Sequence, residues 1–217
     1  MKKPKIGGVC FDMWGTLVEG GGQAQMDDLQ SILGAKRIGK KKFLDQVEKS
    51  LLTHPWLLQD GVADLAQKLG LEVSQTVIQK GFKSWWGYIQ RARSFKETQA
   101  VLTKLKKAKV RMVVISNTDL PAFEFKIKKL GWQKFFEKFF LSADFGVLKP
   151  HRKIFQAVEK YLQLPKEKIL MVDDSLYHGV YPAREFGWQA LWVARGREGD
   201  DTDKIEDLRG ILKRLDV

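Results

Sequence analysis

The hydrophobic positions of the first half of the chain repeat with a helical period. After a short apolar run at 5–11, apolar residues recur three and four positions apart over about 24–93, as in KKFLDQVEKSLL and GVADLAQKLG. This spacing is typical of amphipathic helices, and a glycine after the last periodic residue is a common helix end. The pattern therefore predicts one strand followed by a block made only of helices.

From about residue 95 the pattern changes to alternating helices and strands. Amphipathic segments, the last of them predicted as a terminal helix over 203–215, separate short apolar runs. The predicted strands are 110–116, a shorter one within 136–147, 168–173 and 188–193. Strands that alternate with helices indicate a parallel sheet covered on both faces.

These two patterns predict the fold class and the domain organisation. We expect an α/β fold with a Rossmann-like parallel sheet core, formed by 1–19 and 95–217. The block at 20–94 interrupts that sheet and is predicted to be an inserted α-helical cap.

Composition places the chain among soluble globular proteins. Of 217 residues, 44% are hydrophobic and 29% are charged, and no run approaches the length of a membrane span. The segment MKKPKIGGVC lacks the apolar stretch of a signal peptide, so we expect a cytoplasmic location. The single cysteine, Cys10, lies in an apolar strand and is expected to be a buried hydrophobe.

The charge balance favours an anionic partner. Lys and Arg number 38 against 26 Asp and Glu, a net charge of +12, with lysines denser at 35–42 and 104–111. No nucleic-acid-binding motif accompanies either cluster, and the lysines are otherwise spread along the chain. We therefore interpret the excess charge as a solvated basic surface. A small phosphorylated metabolite is the expected partner, nucleic acid and a membrane are not expected, and the sequence does not specify an oligomeric state.

Polar side chains follow three of the predicted strands. Asp12 ends the first strand, Ser116 and Asn117 end the second, and Asp173 and Asp174 end a third. Ligands of open parallel sheets bind beyond the carboxyl ends of the strands. If these strands are neighbours, their polar side chains converge on one place, where a lysine predicted to open a helix, Lys149, would join them.

Converging carboxylates repel one another and favour a bound cation. Oxygen ligands without a histidine–cysteine cluster suit Mg²⁺. A carboxylate can then attack phosphorus to form an aspartyl-phosphate, while hydroxyl, amide and ammonium groups hold the phosphoryl oxygens. A single Asp or Ser after a strand is more often a helix N-cap, as we expect for Asp119 and Ser175, so the prediction depends on the combination.

Four motifs in this order resemble the haloacid dehalogenase-like hydrolase superfamily. They are FDMWGTL, VVISNTD, GVLKPHRKIF and ILMVDDSLYHGVYPAREFGWQALWV, with the helical block between the first two. The resemblance implies the nucleophile Asp12 with catalytic Ser116 and Lys149, substrate contacts from Thr16 and Asn117, and Mg²⁺ held by Asp12, the Trp14 carbonyl and Asp174.

The first motif departs from the family's phosphatases at Trp14. Those enzymes usually carry there a second aspartate, which protonates the leaving oxygen and then activates water. An indole N–H does not exchange a proton at neutral pH, and general acid–base help is typically worth about 10²–10⁴-fold. We therefore expect slow hydrolysis of a phosphate ester.

The same residue keeps a second enzyme class open. The family's 2-haloacid dehalogenases carry an aromatic residue at the position of Trp14, attack carbon through an ester on the aspartate, and need no metal. They have a small polar residue where Asp174 stands and an aromatic hydroxyl where Phe155 stands, and both differences favour the phosphatase. A third hypothesis is a catalytically degraded member that binds an anionic partner.

The fourth motif departs at its second acidic position. That residue falls at Gly179, while Asp173 stands where glycine is frequent. Asp173 is predicted either to supply the missing carboxylate or to hydrogen-bond the loop. His178 is either a substitute proton carrier or, as we favour, a solvated loop histidine.

The last helical segment of the cap, SWWGYIQRAR, is rich in aromatic and cationic residues. Such residues could grip an anionic or ring-bearing substrate, but at helical spacing they are more often part of a helical core. We therefore predict that the following residues belong to the cap core: Trp85, Trp86, Tyr88, Arg91 and Arg93.

Overall fold

The computed structural model describes residues 5–20, 22–55 and 57–217. Its strands are β1 (Gly8–Phe11), β2 (Arg111–Ser116), β3 (Lys138–Leu141), β4 (Ile169–Asp173), β5 (Gln189–Val193) and β6 (Lys204–Ile205). Its α-helices are α1 (Gly22–Ile32), α2 (Lys40–Leu51), α3 (Leu58–Lys68), α4 (Gln75–Arg91), α5 (Thr98–Lys107), α6 (Leu120–Lys129), α7 (Ser142–Phe145), α8 (Arg152–Leu162), α9 (Tyr181–Glu185) and α10 (Arg209–Leu215).

The strands form one parallel sheet in the order β3-β2-β1-β4-β5-β6. The strand β1 lies between β2 and β4, with Phe11 in register with Val114 on one side and Val172 on the other. The strand order therefore reverses at β1, which is where ligands of such sheets bind. The predicted α/β fold with a Rossmann-like parallel sheet is confirmed.

Both faces of the sheet are buried. Along β1, Val9 and Phe11 enter one hydrophobic cluster, whereas Cys10 enters the cluster on the opposite face. This alternation follows from the two-residue period of a strand, and burial on both faces explains the continuous apolar run. Cys10 is fully buried, and burial raises the pKa of its thiol well above the ordinary range.

Helices α1 to α4 share a third hydrophobic cluster above the sheet. The chain enters and leaves them through two adjacent segments, because Glu19 N–H donates to the Arg93 carbonyl (2.8 Å) and Phe95 N–H to the Leu17 carbonyl (3.3 Å). Helix α4 runs through Gly81, where a Cβ would lie 3.1 Å from Val62 Cγ1 and 3.2 Å from Leu29 Cδ1. Glycine there lets helices approach closely. The boundaries of the cap at 20–94 remain a prediction.

Two predicted helices begin later than the pattern indicated. The terminal helix begins at Arg209, because Lys204–Ile205 instead forms an edge strand on β5. Two residues are too few to show a strand period. Lys149 does not open a helix either, since it lies in the loop before α8, whose N-cap is His151. Within the described residues, no helix is long and apolar enough to cross a membrane.

Candidate active site

Asp12 stands at the point where the sheet order reverses. Its backbone N–H donates to the Val172 carbonyl (2.9 Å), which extends the pairing of β1 with β4 by one residue. Its side chain is buried, and Oδ1 accepts hydrogen bonds from Ser116 Oγ (3.2 Å) and Lys149 Nζ (2.9 Å). No hydrogen bond among the described residues reaches Oδ2, so that oxygen is left for a substrate or a cation.

Lys149 joins two carboxylates. Its Nζ donates to Asp12 Oδ1 (2.9 Å) and to Asp173 Oδ2 (2.7 Å), and all three side chains are buried. Burial alone lowers the pKa of Lys149, but the charges of Asp12 and Asp173 outweigh it and raise the pKa above the ordinary value. Lys149 is therefore charged at neutral pH.

The side-chain amide of Asn117 hydrogen-bonds the backbone of Lys149. Its Oδ1 accepts from the Lys149 N–H (2.6 Å), and its Nδ2 donates to the Lys149 carbonyl (3.2 Å). Both ends of the amide are thus engaged with the loop that presents the lysine. Asn117 also borders the cavity described below, so its predicted substrate contact remains a prediction.

Asp174 completes a cluster of carboxylates. Oxygen atoms of Asp12, Asp173 and Asp174 lie within 4.8 Å of one another. Arg197 Nη1 lies 3.3 Å from Asp174 Oδ2. Burial, followed by the charge of Asp12, raises the pKa of Asp174 to about 6, although Arg197 opposes the rise. The three carboxylates lie beside two cations, Lys149 and Arg197, and the remaining negative charge favours the binding of a metal cation.

The Gly–Thr turn fits closely against Asp174. Gly15 has φ 82°, and a Cβ there would lie 2.5 Å from Asp174 Oδ2, so both backbone and space require glycine. Thr16 Oγ1 accepts from the Asp174 N–H (3.0 Å). The predicted substrate residue Thr16 thus positions a predicted metal ligand, and its substrate contact remains a prediction.

Two arginines that sequence reasoning missed support this turn. Arg195 donates to the carbonyls of Gly15 (3.1 Å) and Thr16 (2.6 Å), and Arg197 donates to the carbonyl of Asp174 (2.7 Å). Both follow β5, which ends at the same edge of the sheet as β1 and β4. In the sequence, only their position after a predicted strand points to this site, because neither arginine belongs to a recognised motif.

The indole of Trp14 forms one hydrogen bond. Its Nε1 donates to Thr118 Oγ1 (2.9 Å), and the half-buried ring borders a cavity between the sheet and the helical cap. Among the described residues, hydrogen bonds reach the carbonyls of Met13, Gly15 and Thr16 but not that of Trp14. The Trp14 carbonyl therefore remains available as a ligand.

The loop after β4 explains the unusual fourth motif. A Cβ at Gly179 would overlap with Oδ2 of Asp173, so the carboxylate of Asp173 occupies the space of a side chain at 179. The same carboxylate binds Lys149, and its Oδ1 accepts from the Ser175 N–H (2.7 Å). Asp173 thus hydrogen-bonds the loop, which was one of the two expectations, and its role as the missing carboxylate remains a prediction. His178 is exposed, and within the described structure it is not part of the cavity lining.

The cavity has a volume of about 420 Å³ and reaches from Asp174 to helix α4. Trp85 and Tyr88 line it, and Trp85 is also buried in the hydrophobic cluster of the cap, as expected. Arg91 and Arg93 are exposed, so the expectation that they belong to the cap core was wrong. Trp86 instead stacks on Phe82 and contacts Phe125. Helical spacing could not separate these roles, because the cavity wall and the core lie on adjacent faces of α4.

The residue Asp119 connects the two sides of the cavity. Its Oδ1 caps α6 by accepting from the Ala122 N–H (2.7 Å), as expected, and its Oδ2 accepts from Trp85 Nε1 over 3.4 Å. Burial raises the pKa of Asp119 to about 6. Ser175 is also a cap, with its Oγ accepting from the His178 N–H (3.1 Å).

Known proteins of two activities are similar to this chain. A glyceraldehyde 3-phosphate phosphatase from Pyrococcus abyssi is 31% identical over 124 residues, which cover 54% of this chain and 52% of that enzyme. The chain thus spans about half the length of that relative. The (S)-2-haloacid dehalogenase 2 of Pseudomonas sp. (strain CBS-3) is 21% identical over 201 residues, covering 89% of this chain and 86% of that enzyme.

The solved structures agree with this result at the level of the fold. The hydrolase YfnB from Bacillus subtilis, in a structure bound to magnesium, superposes with a TM-score of 0.70 at 16% identity, covering 99% of this chain and 100% of that one. The family model described as haloacid dehalogenase-like hydrolase matches residues 6–187, which is most of the chain. The protein therefore belongs to the haloacid dehalogenase-like hydrolases.

Proposed function

We propose that this protein is a magnesium-dependent phosphatase-like hydrolase that acts on a small phosphorylated compound through an aspartyl-phosphate on Asp12. The observation that carries the proposal is the position of Asp12. One of its oxygens is held by Ser116 and Lys149, the other has no described hydrogen bond, and the carboxylate of Asp174 lies within 4.8 Å.

The residues around Asp12 have different roles in phosphoryl transfer. Oδ2 of Asp12 attacks phosphorus, and the bond to the leaving alkoxide breaks. Lys149 fixes Oδ1 and has a third N–H for the phosphoryl oxygens, which carry the charge that develops. The single hydroxyl proton of Ser116 turns from Oδ1 to a phosphoryl oxygen when the substrate binds. Water then attacks the phosphorus of the aspartyl-phosphate, which releases inorganic phosphate and restores the carboxylate.

The residues present fit a magnesium ion. Asp12, the free carbonyl of Trp14 and Asp174 supply the oxygen ligands that Mg²⁺ prefers. Lys149 brings one positive charge to Asp12 and Asp173, and Arg197 brings a second to Asp174, so the three carboxylates face only two cations. When bound, the ion would neutralise phosphate charge during transfer.

Trp14 accounts for the slow turnover that we propose. Its Nε1 donates to Thr118, and the indole has no titratable proton for the leaving oxygen. Without that proton, the leaving oxygen has to be weakly basic or has to take a proton from water. Phosphatases that are similar to this chain include a glyceraldehyde 3-phosphate phosphatase and a phosphoserine phosphatase, which supports a small phosphorylated substrate.

A 2-haloacid dehalogenase is the second candidate. Trp14 favours it, because the dehalogenases of the family carry an aromatic residue at that position, and haloacid dehalogenases are among the relatives. Asp174 weighs against it, because a metal-free site does not need a half-buried carboxylate beside the nucleophile.

A substrate screen tests the proposal. Phosphorylated metabolites are incubated with the protein with and without Mg²⁺ and assayed for free phosphate, while 2-chloropropionate is assayed for halide. Magnesium-dependent phosphate release that disappears in Asp12→Asn supports the phosphatase. Halide release that is independent of metal would establish the dehalogenase instead, and a folded protein that turns over neither substrate class would support a binding function.

A further inference from the structure

The charges that line the cavity are all negative. The chain carries 38 lysine and arginine residues, yet within the described residues none of them lines this cavity. Its ionisable acids are Asp119 and Asp174, and Asp174 belongs to the carboxylate cluster beside Asp12. The chain's net charge of +12 therefore has no counterpart among the residues that line this cavity.

The remaining walls are largely apolar. Trp14 and Leu52 come from the loops, and the cap supplies side chains from α1 and α4: Met26, Trp85, Tyr88 and Ile89. Aromatic and aliphatic walls stabilise a ligand by burying its apolar surface. A second phosphate or carboxylate would lose its hydration here without gaining a cation, and it would face Asp119.

Asp119 offers one acceptor position to a ligand. Its Oδ1 is fixed by the Ala122 N–H at 2.7 Å, whereas Oδ2 has only the long 3.4 Å hydrogen bond from Trp85. A carboxylate oxygen has two lone-pair sites, so Oδ2 retains capacity for a hydroxyl or amine donor. The cavity thus combines apolar walls with an acceptor on Asp119, and its other polar lining residues are Gln25, Asn117, Thr118 and Asp174.

We propose that the substrate is a phosphate monoester whose alcohol portion is apolar or aromatic, carries no second anionic group, and donates a hydrogen bond to Asp119. This inference rests on the proposed function, and it assigns Trp85 and Asp119 to substrate selection. It predicts that esters with an additional carboxylate or phosphate are poor substrates.

Matched esters test the selection. Phosphate release is measured with Mg²⁺ for benzyl phosphate and for 4-carboxybenzyl phosphate, whose leaving oxygens are chemically alike. We expect kcat/KM to be at least tenfold higher for the benzyl ester. Met26→Lys places a cation on the half-buried wall and should narrow this ratio several-fold, whereas the control Met26→Gln should leave it unchanged. A carboxybenzyl ester that reacts as fast as the benzyl ester would overturn the proposal.

A donor-bearing ester tests Asp119. Relative to benzyl phosphate, 4-(aminomethyl)benzyl phosphate should gain several-fold in kcat/KM, and Asp119→Asn should remove most of that gain while it preserves the helix cap. An equal gain in Asp119→Asn would exclude Asp119 as the acceptor.

A binding measurement distinguishes a failure of this inference from a failure of the proposed function. The thermal midpoint is measured with benzylphosphonate and with 4-carboxybenzylphosphonate, neither of which requires turnover. A larger stabilisation by benzylphosphonate supports the selection even if no ester is hydrolysed, in which case the phosphatase proposal alone fails. An equal or larger stabilisation by the carboxylated compound would overturn the selection.

Discussion

The carboxylate of Asp173 fills the space in which Gly179 would otherwise carry a side chain. Asp173 is the last residue of β4, Gly179 lies in the π-helical turn Leu176–Val180 that follows, and the family usually places its second acidic residue at the position of Gly179. Here the carboxylate comes from the end of β4 and still contacts Lys149 at 2.7 Å. A carboxyl group beside Lys149 is therefore present although the residue that supplies it differs.

Because these two side chains would share one space, we predict that substituting both residues restores the stability and activity that each single substitution lowers. Gly179→Asp should lower the thermal midpoint by several degrees, because its side chain would overlap with that of Asp173. Asp173→Gly should lower phosphate release at least tenfold, because Lys149 loses one of its two carboxylates. The variant with both changes should recover stability and activity together. Activity and melting curves of the three variants are the measurement, and a double variant no better than the worse single one would contradict the exchange.

Trp14→Asp should increase phosphate release by an order of magnitude or more. The substitution places a titratable carboxyl two residues after the nucleophile, and general acid–base catalysis is typically worth about 10²–10⁴-fold. The matched control is Trp14→Phe, which removes the hydrogen bond to Thr118 without adding an acid. If phosphate release increases equally in both variants, the increase comes from a looser cavity wall and not from proton transfer.

Magnesium should raise the thermal midpoint of the parent protein. Binding to the folded state alone at ten times the dissociation constant contributes about 1.4 kcal/mol, which corresponds to roughly 3–6 °C for a chain of this size. Asp174→Asn should remove the shift, and the exposed Asp200→Asn should preserve it. Equal shifts in all three proteins would place magnesium elsewhere.

Stability should depend on pH through Asp119. Burial raises the pKa of Asp119 from 3.8 to about 6 in the folded protein. Between these values the folded state binds more protons than the unfolded state, so the contribution of Asp119 to stability is fully present below pH 3.8 and is lost as the pH rises through 6. At pH 8 the buried charge is destabilising.

Asp119→Asn should therefore be more stable than the parent protein at pH 8, with a difference that shrinks as the pH falls toward 4. Asparagine retains the N-cap on α6 and cannot ionise, whereas Asp119→Ala also loses the cap and serves as the control. Denaturant unfolding at several pH values is the measurement. A stability difference between Asp119→Asn and the parent that is constant with pH would contradict the raised pKa.

The sequence is sufficient to predict the parallel sheet and the convergence of polar side chains at one edge of it. Asp12, Ser116 and Asp174 each follow an apolar run, and parallel strands bring their carboxyl ends to one edge. The structure places these residues and Lys149 together, although Lys149 comes from a loop. Their individual roles remain predictions.

The supporting contacts could not be predicted, because they depend on how distant elements pack. Arg195 holds a turn 180 residues away, and nothing in its local sequence indicates that turn. Trp85 has the helical spacing of a core residue, and only the fold places its Nε1 3.4 Å from Asp119. The strand β6 is too short to show any period.

The central claim is that Asp12 is the nucleophile of a phosphatase, and phosphate release by Asp12→Asn tests it most directly. Asparagine is nearly isosteric and can still accept hydrogen bonds from Ser116 and Lys149, so the variant should fold. With Mg²⁺ and the best ester from the screen, we predict phosphate release by the parent protein and none above background by Asp12→Asn. Release by a folded Asp12→Asn at a rate near that of the parent would contradict the account.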